Sequence, residues 1–342
     1  MKIINKQGIA IALFAFASFT ASAQNKTGLH ILKSHSINSH GGWDYVTVDA
    51  PNRKIYVSHG TQVNILSTAT GDSIGVIPNT NGVHGIALIP ALGKGYTSNG
   101  RDNTCSAFDL KTNALIATIP VGTNPDAIFY DDFSKKVYAF NGRSSDASVI
   151  DPATDKVLAT IPLGGKPETG VSDGKGKVFV NSETTNEVIA IDAATYKIIA
   201  RYKIADGDEP SGLAIDRVTN RLFVGCGGNQ TLVVMDATNG KNLAKFHIGD
   251  CDGVAFDPEL KLAYTSNNEG TISVIKEISA NKFVFVENIT TEKGARTIGI
   301  DVLTHHLFLP TAKLEAVAPT ATNANPRPRM VPGTFHVIEV GK

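Results

Sequence analysis

The segment KVYAFNG at residues 136–142 is one of seven similar stretches that recur along the chain. Each stretch has an aromatic residue at its third position, and successive aromatics are 40 to 44 residues apart. The seven aromatic positions are Tyr56, Tyr96, Tyr138, Phe179, Phe223, Tyr264 and Phe308. A period of about 40 residues made of short strands is typical of a β-propeller, so the sequence predicts an all-β fold with seven blades.

The segments around each aromatic strand predict the other strands of a blade. An alternating strand ending in Asp usually precedes it, as in VTVD up to Asp49, and a third strand ends in an Asp-x-x-Thr turn, as at Asp109. Asp begins such turns because its carboxylate accepts backbone hydrogen bonds two residues on. A fourth strand follows, and each unit is therefore predicted to be a four-stranded antiparallel blade.

The seventh unit lacks a fourth strand of its own before the chain ends. Residues 29–37 (LHILKSHSI) have strand character and are predicted to supply it, which would close the ring and remove an open sheet edge. The same unit carries an insertion, residues 312–333, between its second and third strands. Long loops in compact repeats are usually functional or disordered.

The first 23 residues have the pattern of a secretory signal peptide. Lys2 and Lys6 precede an apolar run at residues 8–19, and Ala21-Ser22-Ala23 matches a cleavage site. We expect cleavage after Ala23 and one propeller domain over residues 24–342, located in the periplasm or secreted. Three cysteines are too few for a disulfide framework. The sequence leaves undecided whether Cys226 and Cys251 form a single disulfide.

Composition disfavours a nucleic-acid partner. Lys plus Arg and Asp plus Glu both number 32, and loss of the first 23 residues would leave 30 basic and 32 acidic residues. Nucleic-acid-binding domains usually carry a basic excess. No other apolar run is long enough to span a membrane. We expect a monomer.

The repeats resemble the YncE-like, YVTN-repeat family of exported bacterial seven-bladed propellers. The resemblance extends over the mature chain and is carried by stretches such as residues 136–168 and 221–244, with GGWDYVTVD at 41–49 and GARTIGID at 294–301. It implies the propeller fold and export, and it implies no particular activity. The third strand of the sixth unit departs from the pattern, because it ends in Ile275-Lys276 instead of Asp.

The topology of a propeller places particular residues at one mouth of the central channel. Near the start of the seven innermost strands the sequence predicts a ring of Asp44, His84, Asp126, Thr169, Ser211, Asp252 and Arg296, with Trp43 and Glu168 one position earlier. The ends of the second strands add His59, Asn99 and Asn141, with Arg101 and Arg143 just beyond them. The prediction is a polar, charged funnel with one aromatic wall, roofed on one side by the 312–333 loop.

This funnel is open to several functional interpretations. The favoured one is binding of a polar small ligand, a glycan or a protein partner, with the polar residues above as contacts. The alternative is a hydrolase or lyase that uses these groups as acid and base, or that holds a divalent metal on Asp44, His84, Asp126 and Asp252. A structural role in the cell envelope is the third. The charged pairs could also simply connect neighbouring blades, and no motif requires a cofactor.

Overall fold

The computed structural model describes residues 26–319, 326 and 328–342. These residues form seven four-stranded antiparallel sheets. The predicted signal peptide, residues 1–23, lies outside the described residues.

Each sheet is one blade, and in blades 1 to 6 the strands follow chain order from the channel outward. Blade 1 contains β2 (Trp43–Asp49), β3 (Lys54–His59), β4 (Gln62–Ser67) and β5 (Ser73–Ile77). Blade 2 contains β6 (Val83–Ile89), β7 (Lys94–Asn99), β8 (Thr104–Asp109) and β9 (Leu115–Pro120). Blade 3 contains β10 (Pro125–Asp131), β11 (Lys136–Asn141), β12 (Asp146–Asp151) and β13 (Lys156–Pro162). Blade 4 contains β14 (Pro167–Ser172), β15 (Lys177–Ser182), β16 (Glu187–Asp192) and β17 (Lys197–Lys203).

The remaining blades complete the ring. Blade 5 contains β18 (Pro210–Asp216), β19 (Arg221–Cys226), β20 (Thr231–Asp236) and β21 (Asn242–His247). Blade 6 contains β22 (Cys251–Asp257), β23 (Leu262–Asn267), β24 (Thr271–Ser279) and β25 (Lys282–Thr290). Blade 7 contains β26 (Gly299–Asp301), β27 (His306–Thr311), β30 (His336–Gly341) and β1 (His30–Ser36). Short 3-10 helices span Pro90–Leu92 and Glu183–Thr185.

The N-terminal strand closes the ring, as predicted. β1 is the outermost strand of blade 7 and pairs antiparallel with β30, so that His35 lies opposite Val337. The side chains of His35 on β1 and His306 on β27 both reach Glu339 on β30. Both ends of the described chain are therefore held in one sheet. The edge of β30 that would otherwise be open is paired with β1.

The predicted aromatic column forms the core of the blades. The rings at these seven positions are at most 1% exposed. Burial of each ring removes a large apolar surface from water, which makes this column a main source of stability. The turn prediction is also confirmed at Asp109, whose Oδ1 accepts a hydrogen bond from the backbone N of Thr112 at 2.7 Å.

Close approach between innermost strands requires a residue without a side chain at some positions. A Cβ atom on Gly212 of β18 would lie 2.7 Å from the backbone N of Val254 on β22. Only glycine allows the two strands to approach this closely without a shift of the backbone.

The insertion in blade 7 contains a short hairpin of its own. β28 (Leu314–Glu315) pairs with β29 (Arg329–Met330), and the Arg329 guanidinium binds the Glu315 carboxylate. No helix in the described part of the chain has the length and hydropathy needed to cross a membrane.

Candidate binding site at the channel mouth

The mouth is the end of the channel where the innermost strands begin. The second residues of six innermost strands lie there: Asp44, His84, Asp126, Glu168, Ser211 and Asp252. Blade 4 therefore differs by one position from the sequence prediction, which placed Thr169 in this ring. Pro167 pairs with Ser182, as Pro125 pairs with Asn141, and the irregularity that follows in both strands leaves Glu168 equivalent to Asp126.

Asp44, His84 and Asp126 converge from three neighbouring blades. His84 Nδ1 lies 2.6 Å from Asp44 Oδ2 and 3.7 Å from Asp126 Oδ1. One potential ligand atom from each residue lies within 4.8 Å of the others. Two carboxylates and one imidazole are a ligand set that suits a divalent cation of intermediate hardness. These three residues fit the predicted metal set.

The proximity of these groups changes their proton affinities. Burial, together with the negative charge of Asp44, raises the pKa of Asp126 to about 7. Burial alone would lower the pKa of His84, but the hydrogen bond to Asp44 and the charge of Asp126 raise it overall. Carboxylates crowded in a concave, poorly hydrated site favour a proton or another cation, and such perturbed groups cluster at functional sites.

Asp252, the fourth predicted metal ligand, has a different partner. Its Oδ2 accepts a hydrogen bond from an Arg296 guanidinium nitrogen at 2.9 Å, and its Oδ1 lies 3.2 Å from Ser211 Oγ. Burial raises the pKa of Asp252, and the Arg296 charge opposes that rise. The structure thus separates the mouth into an acid–imidazole cluster (Asp44, His84, Asp126) and an Asp252–Arg296 ion pair.

Glu168 adds a third charged group. It is 7% exposed and lies 2.6 Å from Lys166 Nζ, which also contacts Glu183. Burial and the nearby charge of Asp126 raise the pKa of Glu168, while Lys166 opposes the rise. The sequence reasoning did not identify Lys166, although it stands two residues before Glu168 in the same short segment.

Tyr45 was also missed and lies directly below the acid–imidazole cluster. Its hydroxyl is 3.5 Å from Thr169 Oγ1, which joins blade 1 to blade 4. Burial, and to a smaller extent the charge of Asp126, raises the pKa of Tyr45 well above its ordinary value. The sequence held a signal for it, because the residue after each mouth position is small in other blades, as in Gly85, Ala127 and Gly253.

A cavity of about 680 Å³ opens beside the Asp252–Arg296 pair. Trp43 lines one side, and Leu314 and Met330 of the β28–β29 hairpin line another. Trp43 packs on Phe335 with 5.5 Å between ring centroids. The cavity has the size of a small-molecule pocket and combines an aromatic wall with a few charged groups.

Five predicted contact residues do not line this opening directly. His59, Asn99 and Asn141 are at most 1% exposed. The His59 ring stacks on Phe335 with 3.8 Å between ring centroids, and burial lowers the pKa of His59 to about 4. Asn99 and Asn141 donate hydrogen bonds to Ser106 and Ser148 on the third strands of their blades. Arg101 and Arg143 are exposed on the same face.

Cys226 and Cys251, whose pairing the sequence leaves undecided, are not joined by a disulfide in the structure. Both cysteines are buried free thiols, as is Cys105. Burial raises the pKa of Cys226 to about 12, so that the thiolate needed for exchange is scarce.

The fold and the polar mouth define a seven-bladed β-propeller with a candidate site at one channel opening. No family model matches the chain. It is 32% identical over 112 residues to YncE of Salmonella typhimurium, covering 31% of this chain and 32% of that protein. It is 31% identical over 94 residues to YncE of Escherichia coli O157:H7, covering 26% of this chain and 27% of that protein. The matches thus span about a third of the length of these curated relatives.

The solved structures support the fold alone. A hydrazine synthase chain from Kuenenia stuttgartiensis superposes with a TM-score of 0.70 at 14% identity, covering 82% of this chain and 95% of that one. Together with the seven observed blades, the YncE matches confirm the resemblance predicted from the repeats. The chain is a seven-bladed β-propeller that is similar to YncE over about a third of its length.

Proposed function

We propose that this propeller is an exported binding protein that recognises a small polar ligand, or a polar group of a glycan or protein partner, at its channel mouth. The observation that carries the proposal is the cavity of about 680 Å³ between Trp43, the β28–β29 hairpin and the Asp252–Arg296 pair. Trp43 offers an apolar face for a sugar ring or a hydrocarbon portion. Export rests on the predicted signal peptide.

The charged groups beside the cavity set the chemistry of the ligand. Asp252 and Arg296 present a hydrogen-bond acceptor and donor about 3 Å apart, which fits a ligand with both donor and acceptor groups. The cluster of Asp44, His84 and Asp126 adds negative charge. A ligand that carries hydroxyl or amino groups satisfies this arrangement.

A second candidate function is metal-assisted hydrolysis or elimination at the same mouth. The specific observation is the convergence of one atom each from Asp44, His84 and Asp126 within 4.8 Å. Three protein ligands leave coordination positions for water and substrate, which is the arrangement of catalytic metal sites. The residues would hold the ion and orient a substrate oxygen towards it.

Metal analysis separates the two functions. The protein is purified without chelator or affinity metal, and bound metals are measured by mass spectrometry, followed by titration with Mn²⁺ and Zn²⁺. One ion per chain, lost in Asp44→Asn and His84→Ala but retained in the control Asp102→Asn on the same face, would move the hydrolase function ahead. Absence of metal, with a native fold, leaves the metal-independent binding function.

Ligand binding is then tested at the cavity itself. Thermal-shift screening of sugars, peptides and polar metabolites should identify a ligand whose affinity falls at least tenfold in Trp43→Ala or Arg296→Ala. A ligand that binds these variants as well as the original protein would contradict recognition at the mouth.

A further inference from the structure

The outer hairpin of blade 6 differs from those of the other blades. β24 (Thr271–Ser279) and β25 (Lys282–Thr290) have nine residues each, whereas the third and fourth strands of blades 1 to 5 have five to seven. The extra length follows from the departure noted in the sequence, because the strand continues past Ile275 where other units turn. The hairpin therefore extends beyond its neighbours on the face opposite the mouth.

The junction between blades 6 and 7 is also built differently. At the junctions of blades 2 with 3 and 5 with 6, the turn between the third and fourth strands of the later blade contacts the second strand of the earlier one. The hydroxyl of Tyr96 on β7 binds Asp155 of such a turn, and Arg221 on β19 donates to the carbonyl of Ala280 at 2.5 Å. In blade 7 the third and fourth strands are β30 and β1, which no turn connects, so no turn of this kind covers β23 within the described part of the chain.

A cavity of about 940 Å³ occupies this junction. Its floor is apolar and includes Leu29, Leu262, Ile278, Val284 and Val286. Ile278 is 47% exposed at this cavity. The volume lies within the range of pockets that hold small organic ligands.

The rim of the cavity is basic. Lys26, Lys276, Lys282 and Lys342 surround it, all four exposed. None of these lysines forms an ion pair within the described residues. Glu287 accepts hydrogen bonds from the backbone N and the Oγ1 of Thr27, at 2.6 and 2.5 Å. The four ammonium groups are therefore free to attract an anion to the opening.

A buried polar group lies at the base of the cavity. The side chain of Tyr264 is 0% exposed and its hydroxyl has no hydrogen-bond partner among the described residues. A buried hydroxyl without a partner is unfavourable, so a ligand that supplies an acceptor gains from it. At the equivalent positions, the hydroxyl of Tyr96 in blade 2 has its acceptor in Asp155, whereas that of Tyr138 in blade 3 also has no partner among the described residues.

We propose that this cavity binds a free fatty-acid anion. The acyl chain lies on the apolar floor between the β24–β25 hairpin and β1, and the carboxylate lies among the lysines or accepts a hydrogen bond from Tyr264. The proposal rests on the shape, charge and unpaired hydroxyl of this junction, and it is independent of any ligand at the mouth.

Isothermal titration calorimetry of the delipidated protein with dodecanoate tests the proposal. We expect one dodecanoate per chain with micromolar affinity, weakened at least tenfold in Ile278→Asp. The matched control is Ile199→Asp on β17, because Ile199 is 50% exposed on an outer strand of another blade. Equal binding by both variants, or no binding by the original protein, would overturn the proposal.

The head group is tested separately. Lys276→Glu with Lys282→Glu should weaken dodecanoate binding at least fivefold, and dodecyltrimethylammonium should bind far more weakly than dodecanoate to the original protein. Binding of both detergents alike would show a nonspecific apolar surface and refute the proposal. Binding to vesicles of anionic phospholipid without binding of free dodecanoate would refute it in favour of a membrane surface.

Discussion

Replacing Glu339 with Gln should destabilise the protein by about 2–3 kcal/mol at neutral pH. The Glu339 side chain is 3% exposed, and its two oxygens lie 2.8 Å from His35 Nε2 and 2.6 Å from His306 Nδ1. Burial alone would raise its pKa, but these hydrogen bonds lower it from 4.5 to about 2. At about 1.36 kcal/mol for each unit, this difference corresponds to roughly 3 kcal/mol as an upper value.

The pH dependence of this effect follows from its sign. Because the pKa of Glu339 is lower in the folded protein, its contribution is complete above about pH 4.5 and is lost as the pH falls towards 2. The difference in stability between the original protein and Glu339→Gln should therefore shrink between pH 5 and pH 2.

Urea unfolding, followed by fluorescence of Trp43, measures this difference. Trp43 is the single tryptophan and packs on Phe335 next to the closing blade. Asp206→Asn is the control, because it removes an exposed ion pair with Lys245 and should leave the midpoint unchanged. A loss below about 0.5 kcal/mol in Glu339→Gln, typical of a surface substitution, would refute the reasoning, as would the same loss at pH 7 and pH 3.

Three further predictions concern the core, the thiols and the closing strand. Phe308→Ala should lower the free energy of unfolding by about 3–5 kcal/mol because the ring is 1% exposed, and a loss under about 1 kcal/mol in urea unfolding would contradict this. The three buried thiols should resist iodoacetamide at pH 8 in the folded protein and all react in urea. Mass spectrometry measures the labelling, and rapid labelling of Cys226 without urea would be inconsistent with its raised pKa. Deleting residues 27–36 should expose the edge of β30 and produce dimers or aggregates in size-exclusion chromatography, and a stable monomer would contradict the closure described above.

Periodic features of this fold could be predicted from the sequence because they repeat in every blade. The aromatic column has the same physical cause at Tyr56 and at Phe308, namely burial between sheets, so seven weak signals reinforced one another. The closing role of β1 followed from a missing strand in the last unit. Both predictions needed only the order of strand segments along the chain and the rule that native proteins avoid exposed, unpaired sheet edges.

Features that depend on contacts between distant segments could not be predicted in this way. His59 has the sequence position of a mouth residue, yet Phe335 stacks on it and Ser39 Oγ lies 2.5 Å from its Nδ1, and neither contact has a local signal. In blade 4 Gly170 occupies the position of Ile128 in blade 3, so Glu168 lies in the ring where Thr169 was expected. The grouping of Asp252 with Arg296, and not with His84, similarly depends on the geometry of the ring.

The pairing of β1 with β30 also dictates an order of events during synthesis. His35 and Glu339 are 304 positions apart, so β1 has no partner until nearly the whole chain has left the ribosome. Six blades with mainly local contacts can form earlier, as an open arc, and the last step must join two remote segments at a higher entropic cost. In β1 (HILKSHS) four of the seven residues are exposed, Ile31 and Leu32 are partly buried, and only His35 is buried. The unpaired strand therefore exposes little apolar surface in the meantime.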